Sequence, residues 1–413
     1  MSRKKKIILV VLSIFTVLEI AAAGVGFKIY LDAKKAMNGT FVQVKRKYQQ
    51  KEKVILATEP FSVLLLGIDS GEGLERDSGK WDGRADSMML VVVNPKKKQT
   101  TVLSFPRDLY VLLDGPDDNE YTGVKDKINH AFARGKEGMS MDTVAKLIDI
   151  KIDYVIAVNM IGFPELVDDV GGLTIDAKFG TVDGKHLDRV PVPDDLAALK
   201  GLIPSDEPMR SWEAQHYGYN FDAIFQWISE GKQKMDGRTA TNYARYRHGD
   251  DGTYGRDARQ RQVSQKLVEK LFSINSFTKY KKIFKTISGN IRTNLAWKDL
   301  VRIRKTYPLS LFKHAVSLQL PGVGDMINGA SYQLVPKNLL LQAQNYMREQ
   351  MGLPANATLG KQLTYESVTG LKAPEDASLN LLGEKKKTKT SESSSKVLDE
   401  EQSEVTGIEG ISE

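Results

Sequence analysis

The chain has 413 residues, enough for one large domain or two of ordinary size, and its 41% hydrophobic residues can supply a core. It contains no cysteine, so thiolate catalysis, disulfide bonds and cysteine-ligated metal sites are all excluded. The net charge of +7 favours an anionic partner, such as a nucleic acid, a lipid surface or an acidic polymer.

The N-terminus has the pattern of a membrane anchor. Four consecutive basic residues, 3–6, precede residues 7–27, in which the only charged residue is Glu19. That apolar segment is long enough to cross a bilayer as a helix, and the basic residues before it indicate a cytoplasmic N-terminus. A cleaved signal peptide is the alternative, because the small residues at 21–24 are typical of a processing site.

We therefore predict a cytoplasmic segment at 1–6, a single transmembrane helix at 7–27 and an extracellular remainder. This topology locates the protein in the cell membrane and argues against nucleic acid as a partner. Residues 28–59, rich in lysine and glutamine, are predicted to form a stalk or linker above the membrane. After it, short apolar runs predict strands at 61–68, 88–94, 100–105 and 109–113.

Helical and strand patterns alternate in the next part of the chain. Apolar spacing predicts a helix at 141–150, a strand at 152–159 and a helix at 163–170 that stops at a glycine pair. Residues 183–230 contain several prolines and little periodicity, which indicates loops and short strands. The order of elements predicts an α/β fold, a three-layer α-β-α domain with a central mixed sheet after the transmembrane helix.

Fewer elements are evident in the C-terminal part. Asp236 is predicted to cap a helix, and later patterns predict a strand at 315–321 and a helix at 336–350. Residues 375–413 are charged, rich in serine and without aromatic residues, so we predict a disordered tail. The folded domain is therefore expected to span residues 60–355.

Two aspartates lie at the ends of predicted neighbouring strands. Asp69 ends the first strand, and Asp86 comes just before the second, within the segment GRADS. If the strands are neighbours, both carboxylates lie at one edge of the sheet, where open α/β sheets bind ligands. Carboxylates completed by substrate phosphates suit Mg²⁺, so we expect a magnesium site there. The alternative is ordinary turn chemistry, in which aspartate precedes serine or glycine.

Arg107 and Lys127 are candidate ligands for an anion. Arg107 follows Pro106 directly after a predicted strand, so it can project at the same edge of the sheet as the aspartates. Lys127, in the segment KINHA, is likewise a basic side chain that could bind an anion. Structural salt bridges are the alternative for both side chains.

Residues 243–262 read YARYRHGDDGTYGRDARQRQ and contain five arginines. Arginine suits two-pronged recognition of phosphate or carboxylate, because its fork of donors matches those oxygens. An extended backbone would aim Arg245 and Arg247 at the same side. Helical spacing would place Arg256 and Gln260 on the buried face of a helix, where polar groups need partners. We interpret the segment as an oxyanion site, with structural ion pairs as the alternative.

Together with the N-terminal anchor, seven segments in chain order resemble the LytR-CpsA-Psr family of bacterial wall enzymes, over roughly residues 60–355. Several motifs in the same order indicate a family far more specifically than any single motif. The segments are LLLGIDS, GRADSMMLVVVNP, SFPRDLYV, KINHAFARG, IDYVIAVNMIGFPELVDDVGGLTID, MDGRTATNYARYR and GRDARQRQ.

The resemblance implies a phosphotransferase that moves a glycopolymer, such as teichoic acid or capsule, from a polyprenyl pyrophosphate lipid onto a muramic acid hydroxyl of peptidoglycan. By position, Asp69 and Asp86 match the family's magnesium carboxylates, and Asp86 is our candidate base for the acceptor hydroxyl. The implied catalytic residues are Asp86, Arg107, Arg245 and Arg247. The implied pyrophosphate-binding residues are Arg84, Arg107, Lys127, Arg245, Arg247, Arg256 and Gln260.

The sequence departs from the family pattern at one position. The family often has an aspartate two residues before the Gly-Arg pair, where this chain has Thr253. Asp250 and Asp251 lie just upstream. The task of that aspartate is therefore either taken over by Asp251 or absent.

Other functions fit parts of the sequence. A pyrophosphatase would hydrolyse the lipid donor without a glycan acceptor. A non-catalytic membrane-bound wall-binding or regulatory protein would use the arginines to hold anionic polymer and would not need magnesium. A transcriptional attenuator fits worst, because the arginines would lie on the outer side of the membrane.

Overall fold

The computed structural model describes residues 31, 34–35, 38–47, 58–69, 81–182, 185–186, 189–193, 225–246, 252–273, 289–308, 311, 315–374 and 380–382. The predicted cytoplasmic segment 1–6 and transmembrane helix 7–27 lie outside these residues. Among the residues that are described, no helix combines the length and apolar character needed to cross a membrane.

A seven-stranded sheet forms the centre of the fold. In spatial order the strands are β13 (Ile291–Thr293), β6 (Tyr154–Asn159), β1 (Phe61–Asp69), β2 (Arg84–Asn94), β3 (Gln99–Phe105), β14 (Ala315–Gln319) and β17 (Asn380–Leu382). Strand β1 is parallel to β6 and antiparallel to β2, and β3 is antiparallel to β2 and parallel to β14. The predicted α/β fold with a central mixed sheet is confirmed.

Side chains of the central strands alternate between two apolar clusters, as expected for a pleated sheet. Leu64 packs with Leu90 in the cluster on one face of the sheet. Val63 packs with Val91 in the cluster on the other face. Because both faces are buried, the strands read as continuous apolar runs in the sequence.

Helices cover both faces of this sheet. On the face of Leu64 lie α1 (His130–Ile148) and α6 (Lys337–Gln350). On the opposite face, α5 (Trp297–Thr306) contributes Ile303 to the cluster that contains Val63.

Another apolar cluster joins the helices near the basic segment. Leu166, Tyr243 and Val263 belong to it. Asp236 caps its helix as predicted, because its side chain accepts a hydrogen bond from the backbone N–H of Thr239 at 2.8 Å. A hydrogen bond from the Thr239 side chain, followed by this backbone hydrogen bond, lowers the pKa of Asp236. The helices concerned are α2 (Phe163–Asp169), α3 (Gly237–Arg245) and α4 (Gly252–Ser273).

The remaining elements are short. Their bounds are β4 (Tyr110–Leu112), β5 (Lys125–Lys127), β7 (Leu173–Ala177), β8 (Thr181–Val182), β9 (Lys185–His186), β10 (Arg189–Pro193), β11 (Phe225–Ser229), β12 (Gly231–Met235), β15 (Val323–Ile327), β16 (Ala330–Leu334) and α7 (Tyr365–Thr369). The small strands pair as β4 with β5, β7 with β12, β8 with β9, β10 with β11 and β15 with β16. Several of them fall in the part of residues 183–230 that the structure describes, where short strands were predicted. A 3-10 turn, Met160–Gly162, precedes α2.

Two elements are longer than predicted. Strand β2 begins at Arg84, so Asp86 lies inside the strand and not before it. Helix α1 begins at His130, well before the predicted start, and its backbone leaves the helical region at Gly135 and Lys136. This break interrupts the helical phase, which explains why only the second part of α1 shows regular apolar spacing.

Residues 41–47 contact the folded domain. Phe41 forms a parallel β-bridge with Thr293, and the backbone N–H of Val42 donates to the carbonyl of Thr293 at 2.8 Å. These residues therefore belong to the domain, and the linker predicted at 28–59 does not include them.

An ion pair fastens this segment. Arg46 Nε donates to Asp142 Oδ1 at 2.8 Å, and both side chains are buried. Burial raises the pKa of Asp142, whereas the charge of Arg46 opposes that rise. The neighbouring Lys45 forms an exposed ion pair with Asp118. The segment also lies tightly on α1, since a Cβ added at Gly138 would clash with the carbonyl oxygen of Lys45.

Strand β17 forms an edge of the sheet by pairing with β14, Leu382 opposite Ser317 and Asn380 opposite Gln319. The disorder predicted for residues 375–413 therefore does not hold for residues 380–382. The rest of that predicted tail lies outside the described residues.

Candidate active site

Asp86 lies at an irregularity in the pairing of β1 with β2. Gly67 pairs with Ser87, but the next residue, Ile68, pairs with Ala85, so Asp86 is an extra residue in β2. Such a β-bulge redirects a side chain and is common next to active sites. A Cβ at Gly67 would lie 3.1 Å from the Cβ of Ser87, so glycine suits the close approach of the strands here.

Two donors hold the Asp86 carboxylate. Arg107 donates from Nη1 to Oδ2 at 3.0 Å, and Asn129 donates from Nδ2 to Oδ1 at 3.2 Å. The backbone of Asn129 also donates to the carbonyl of Arg107 and accepts from the N–H of Ala85. Asn129 therefore fixes β2 relative to the loop that follows β3. The Arg107 and Asp86 side chains are each 22% exposed, so the pair remains open to a ligand.

A second ion pair continues from Arg107. Asp108 Oδ2 lies 3.6 Å from Arg107 Nε, and Asp108 Oδ1 lies 3.0 Å from Lys127 Nζ. The ammonium of Lys127 is also 5.3 Å from the centre of the Tyr332 ring, within cation–π range. Asp108 therefore neutralises Lys127, and Asp108 and Arg107 connect Lys127 to Asp86.

A small cavity joins Asp86 to helix α4. Among the predicted site residues, Asp86, Arg107 and Gln260 meet at its wall. Arg261 lies there too, and its Nη2 donates to Gln319 Oε1 at 2.9 Å. Two guanidinium groups and an amide around one carboxylate form a surface suited to an anion. The full lining is Asp86, Ser87, Met88, Phe105, Arg107, Gln260 and Arg261.

The other arginines of residues 243–262 occupy different surroundings. Arg245 is the last residue of helix α3 and is half-buried, so the extended backbone predicted there is wrong. Arg247 lies outside the described residues. Arg256 is 4% exposed, so the prediction that it lies on the buried face of α4 is confirmed. Neither Arg245 nor Arg256 lines the cavity.

Arg259 has a structural role. It is buried, its Nη2 donates to the carbonyl of Tyr246 at 2.8 Å, and its guanidinium lies 5.1 Å from the centre of the Tyr246 ring. It therefore ties α4 to the end of α3. Thr253 lies in the first turn of α4, and the upstream Asp250 and Asp251 are outside the described residues.

The donors at the edge of the sheet fit a magnesium ion in their chemistry. Asp69 pairs directly with Arg84 across β1 and β2, and neither forms an ion pair with another residue that the structure describes. The buried Ser87 Oγ has no hydrogen-bond partner in that same part of the chain. Mg²⁺ prefers oxygen ligands and takes one or two carboxylates plus substrate phosphates. Among the described residues there is no group of three or more His, Cys, Asp or Glu side chains that could hold a metal ion.

The sequence reasoning missed Asn129 and Arg261. Asn129 stands at the N-cap of α1, yet its side chain makes no capping bond because it contacts Asp86. The sequence predicted this helix only from residue 141, so it gave no sign that Asn129 occupies a capping position. Arg261 reaches Gln319 on a strand far along the chain, and no local pattern reveals such a partner.

Comparison with known proteins decides the family. A family model described as the LytR_cpsA_psr family matches residues 28–349. The chain belongs to the LytR-CpsA-Psr family. The resemblance inferred from the motifs is confirmed, and the match includes residues 41–47, which pack on the domain.

Alignments with individual relatives and with a solved structure cover most of the chain. Polyisoprenyl-teichoic acid--peptidoglycan teichoic acid transferase TagU of Enterococcus faecalis is 35% identical, over 85% of this chain and 99% of the relative. Biofilm regulatory protein A of Streptococcus mutans is 36% identical, over 89% of this chain and 82% of the relative. The crystal structure of protein gbs0355 from Streptococcus agalactiae is 34% identical with a TM-score of 0.60, over 77% of this chain and 97% of that one.

Three segments of this LytR-CpsA-Psr domain thus converge on one carboxylate. GRADS supplies Asp86, SFPRD supplies Arg107 and KINHA supplies Asn129. The segment GRDARQRQ brings Gln260 to the same cavity.

Proposed function

We propose that this protein is a phosphotransferase that moves an anionic glycopolymer, of the teichoic acid or capsule type, from a polyprenyl pyrophosphate lipid onto a muramic acid hydroxyl of peptidoglycan. The observation that carries the proposal is the pairing of Asp86 with Arg107 in a cavity that Gln260 and Arg261 also line. The name of the Enterococcus faecalis relative, a teichoic acid transferase acting on peptidoglycan, supports the substrate class.

The cationic side chains bind the pyrophosphate. The guanidinium groups of Arg107 and Arg261 match the geometry of phosphate oxygens, and Gln260 adds an amide donor. Donors held in place stabilise the negative charge that grows on the departing lipid phosphate, because they need not reorganise during the reaction. The roles of Arg84, Lys127, Arg245, Arg247 and Arg256 as further pyrophosphate ligands stay predictions.

Asp86 serves as the base in the transfer step. The acceptor hydroxyl oxygen attacks the phosphorus that carries the polymer, and its proton passes to the Asp86 carboxylate. The bond between that phosphorus and the bridging oxygen breaks, and the polyprenyl phosphate leaves with the electron pair. Arg107 and Asn129 keep the carboxylate in position, since each contacts one of its oxygens.

Asp69 and Asp86 would hold Mg²⁺, with the Ser87 hydroxyl close by on β2. When bound, the ion would neutralise charge on the pyrophosphate oxygens. We further propose that residues 7–27 anchor the chain in the cell membrane with the domain outside, where a lipid-linked donor and peptidoglycan meet.

The direct test is transfer of labelled polymer by full-length protein in detergent. Arg107→Ala should lower the transfer rate about 100- to 1000-fold, the usual loss for one such donor, and leave the circular dichroism spectrum unchanged. Lys97→Ala is the matched control, because Lys97 forms a surface pair with Glu349 at 2.7 Å. Full activity of folded Arg107→Ala protein would contradict the proposal. A pyrophosphatase would release labelled polymer from the lipid in the absence of peptidoglycan. When peptidoglycan is present, the polymer would still not be linked to it.

A regulatory, non-catalytic role is the second candidate, and the name of the Streptococcus mutans relative favours it. Such a protein would bind anionic polymer with Mg²⁺ removed by a chelator and would never link it to peptidoglycan. Measuring polymer binding and transfer in one preparation, with and without chelator, separates the two candidates.

A further inference from the structure

Two tyrosines form a surface next to the Asp108–Lys127 pair. Tyr110 on β4 and Tyr332 on β16 have ring centres 4.7 Å apart, with the ring planes inclined at 60°. Both residues are half-buried, so each is partly accessible to solvent. Burial, followed by the proximity of Tyr332 and Asp126, raises the pKa of Tyr110.

The hairpin of β15 and β16, which carries Tyr332, is attached to the loop that follows β3. The backbone N–H of Gln333 donates to the carbonyl of Asp108 at 2.9 Å, and Gln333 forms a β-bridge with Leu109. Tyr332 therefore has a set position relative to the loop that also contains Arg107.

The two sides of Arg107 differ in chemistry. Toward α4 the guanidinium groups and the amide around Asp86 suit an anion. Toward the tyrosines, Asp108 neutralises Lys127, and the two phenol side chains lie beside Asp325, which pairs with Tyr332 across the hairpin. An anionic polymer requires cations, whereas an uncharged sugar requires a flat apolar face for its C–H groups and hydroxyl partners for its own hydroxyls.

We propose that Tyr110 and Tyr332 bind a pyranose ring of the peptidoglycan glycan strand and so bring the acceptor hydroxyl to Asp86 from the side away from the pyrophosphate. The inference rests on the proposed function and adds to it the location of the acceptor. The ammonium of Lys127 lies between the two sites, in contact with Asp108 and with the Tyr332 ring.

The test compares Tyr332→Leu with Tyr332→Phe in the full-length protein. Leucine removes the aromatic face, whereas phenylalanine keeps it. Tyr332→Leu should raise the KM for peptidoglycan strands, and weaken strand binding measured without donor, roughly 3- to 10-fold, the usual size of one aromatic contact. The KM for the lipid-linked donor should not change, and Tyr332→Phe should retain most of the affinity.

Met326→Ala is the matched control. Met326 is 63% exposed on the same hairpin, opposite Ser331, whereas Tyr332 is opposite Asp325, so the two side chains lie on different faces. A peptidoglycan KM equal to that of the unchanged protein in Tyr332→Leu would overturn the proposal. So would a rise only in the donor KM, or an equal loss of strand binding in Met326→Ala.

The two proposals can fail separately. If the unchanged protein transfers no polymer but Tyr332→Leu weakens strand binding, the glycan site stands and the transferase proposal fails. If transfer occurs and Tyr332→Leu alters neither KM nor strand binding, the transferase stands and the glycan site is refuted.

Discussion

Arg107 and Asp86 are 21 residues apart in sequence, yet their side chains meet at 3.0 Å. The bulge in β2 directs Asp86 away from the regular ladder, and Arg107 leaves the sheet just after β3. The same guanidinium lies near Asp108, which binds Lys127. A change at Arg107 is therefore expected to affect both the base and the acceptor side of the site.

Removal of Asn129 should lower the transfer rate with little loss of substrate binding. In Asn129→Ala the Asp86 carboxylate loses one of its two donors and its position. Hydrogen bonds to charged groups contribute about 1.5 to 3 kcal/mol, so we expect roughly a 10- to 100-fold fall in kcat. Asn119→Ala, at an exposed hydrogen bond with the Arg134 carbonyl, is the control. A kcat equal to that of the control would show that Asn129 does not support the base.

Asp69→Asn should increase the requirement for Mg²⁺. The change keeps the size of the side chain but removes the charge that suits the ion. We expect the half-saturating Mg²⁺ concentration to rise by about tenfold or more, since even residues behind the ligands alter metal affinity roughly 10- to 100-fold. The measurement is a magnesium titration of transfer, with Glu349→Gln as the surface control. Superimposable titrations would remove Asp69 from the metal site.

Arg46→Ala should destabilise the domain by about 3 to 5 kcal/mol, because it leaves the buried Asp142 carboxylate without its cation. Lys45→Ala, next in sequence, breaks only an exposed pair and should have little effect. Urea unfolding of both variants measures the difference. Similar stability of the two would show that the buried pair contributes little.

The loss in Arg46→Ala should depend on pH with a definite sign. Burial raises the pKa of Asp142 above its unfolded value, and Arg46 opposes that rise. Without Arg46 the folded pKa rises further, and the folded state binds a proton more readily than the unfolded state. The deficit is therefore largest where Asp142 is ionised and shrinks as the pH falls through its raised folded pKa. A deficit that grows toward acidic pH would contradict this account.

Gly138→Ala should also destabilise the protein, although alanine favours a helix. The added methyl group would meet the backbone carbonyl of Lys45, which cannot rotate away like a side chain. We expect a loss of roughly 1 to 3 kcal/mol, the usual cost of overpacking. Because this clash and the Arg46 pair act on the same segment, the double variant should lose less stability than the sum of the single variants. Strict additivity would mean that the two contacts act independently.

Local patterns in the sequence located the central strands well. Strands β1, β2 and β3 are apolar on both faces. Their consecutive apolar residues therefore predict a buried strand from local sequence alone. The pattern failed at α1, where Gly135 and Lys136 break the helical phase. The local pattern was wrong again at Arg245. The two-residue spacing of Arg245 and Arg247 cannot by itself distinguish the end of a helix from a strand.

Motifs and periodic burial in the sequence predicted the family, the central strands β1 to β3, the carboxylates near the edge of the sheet and the buried position of Arg256 on α4. Those properties depend on residue type and on periodic burial, which neighbours along the chain reveal. Tertiary structure alone decided that Asp86 is a bulged residue held by Arg107 and Asn129, and that Arg261 rather than Arg256 lines the cavity. Such contacts depend on strand register and on where separate loops meet, because a shift of one residue in pairing redirects every side chain.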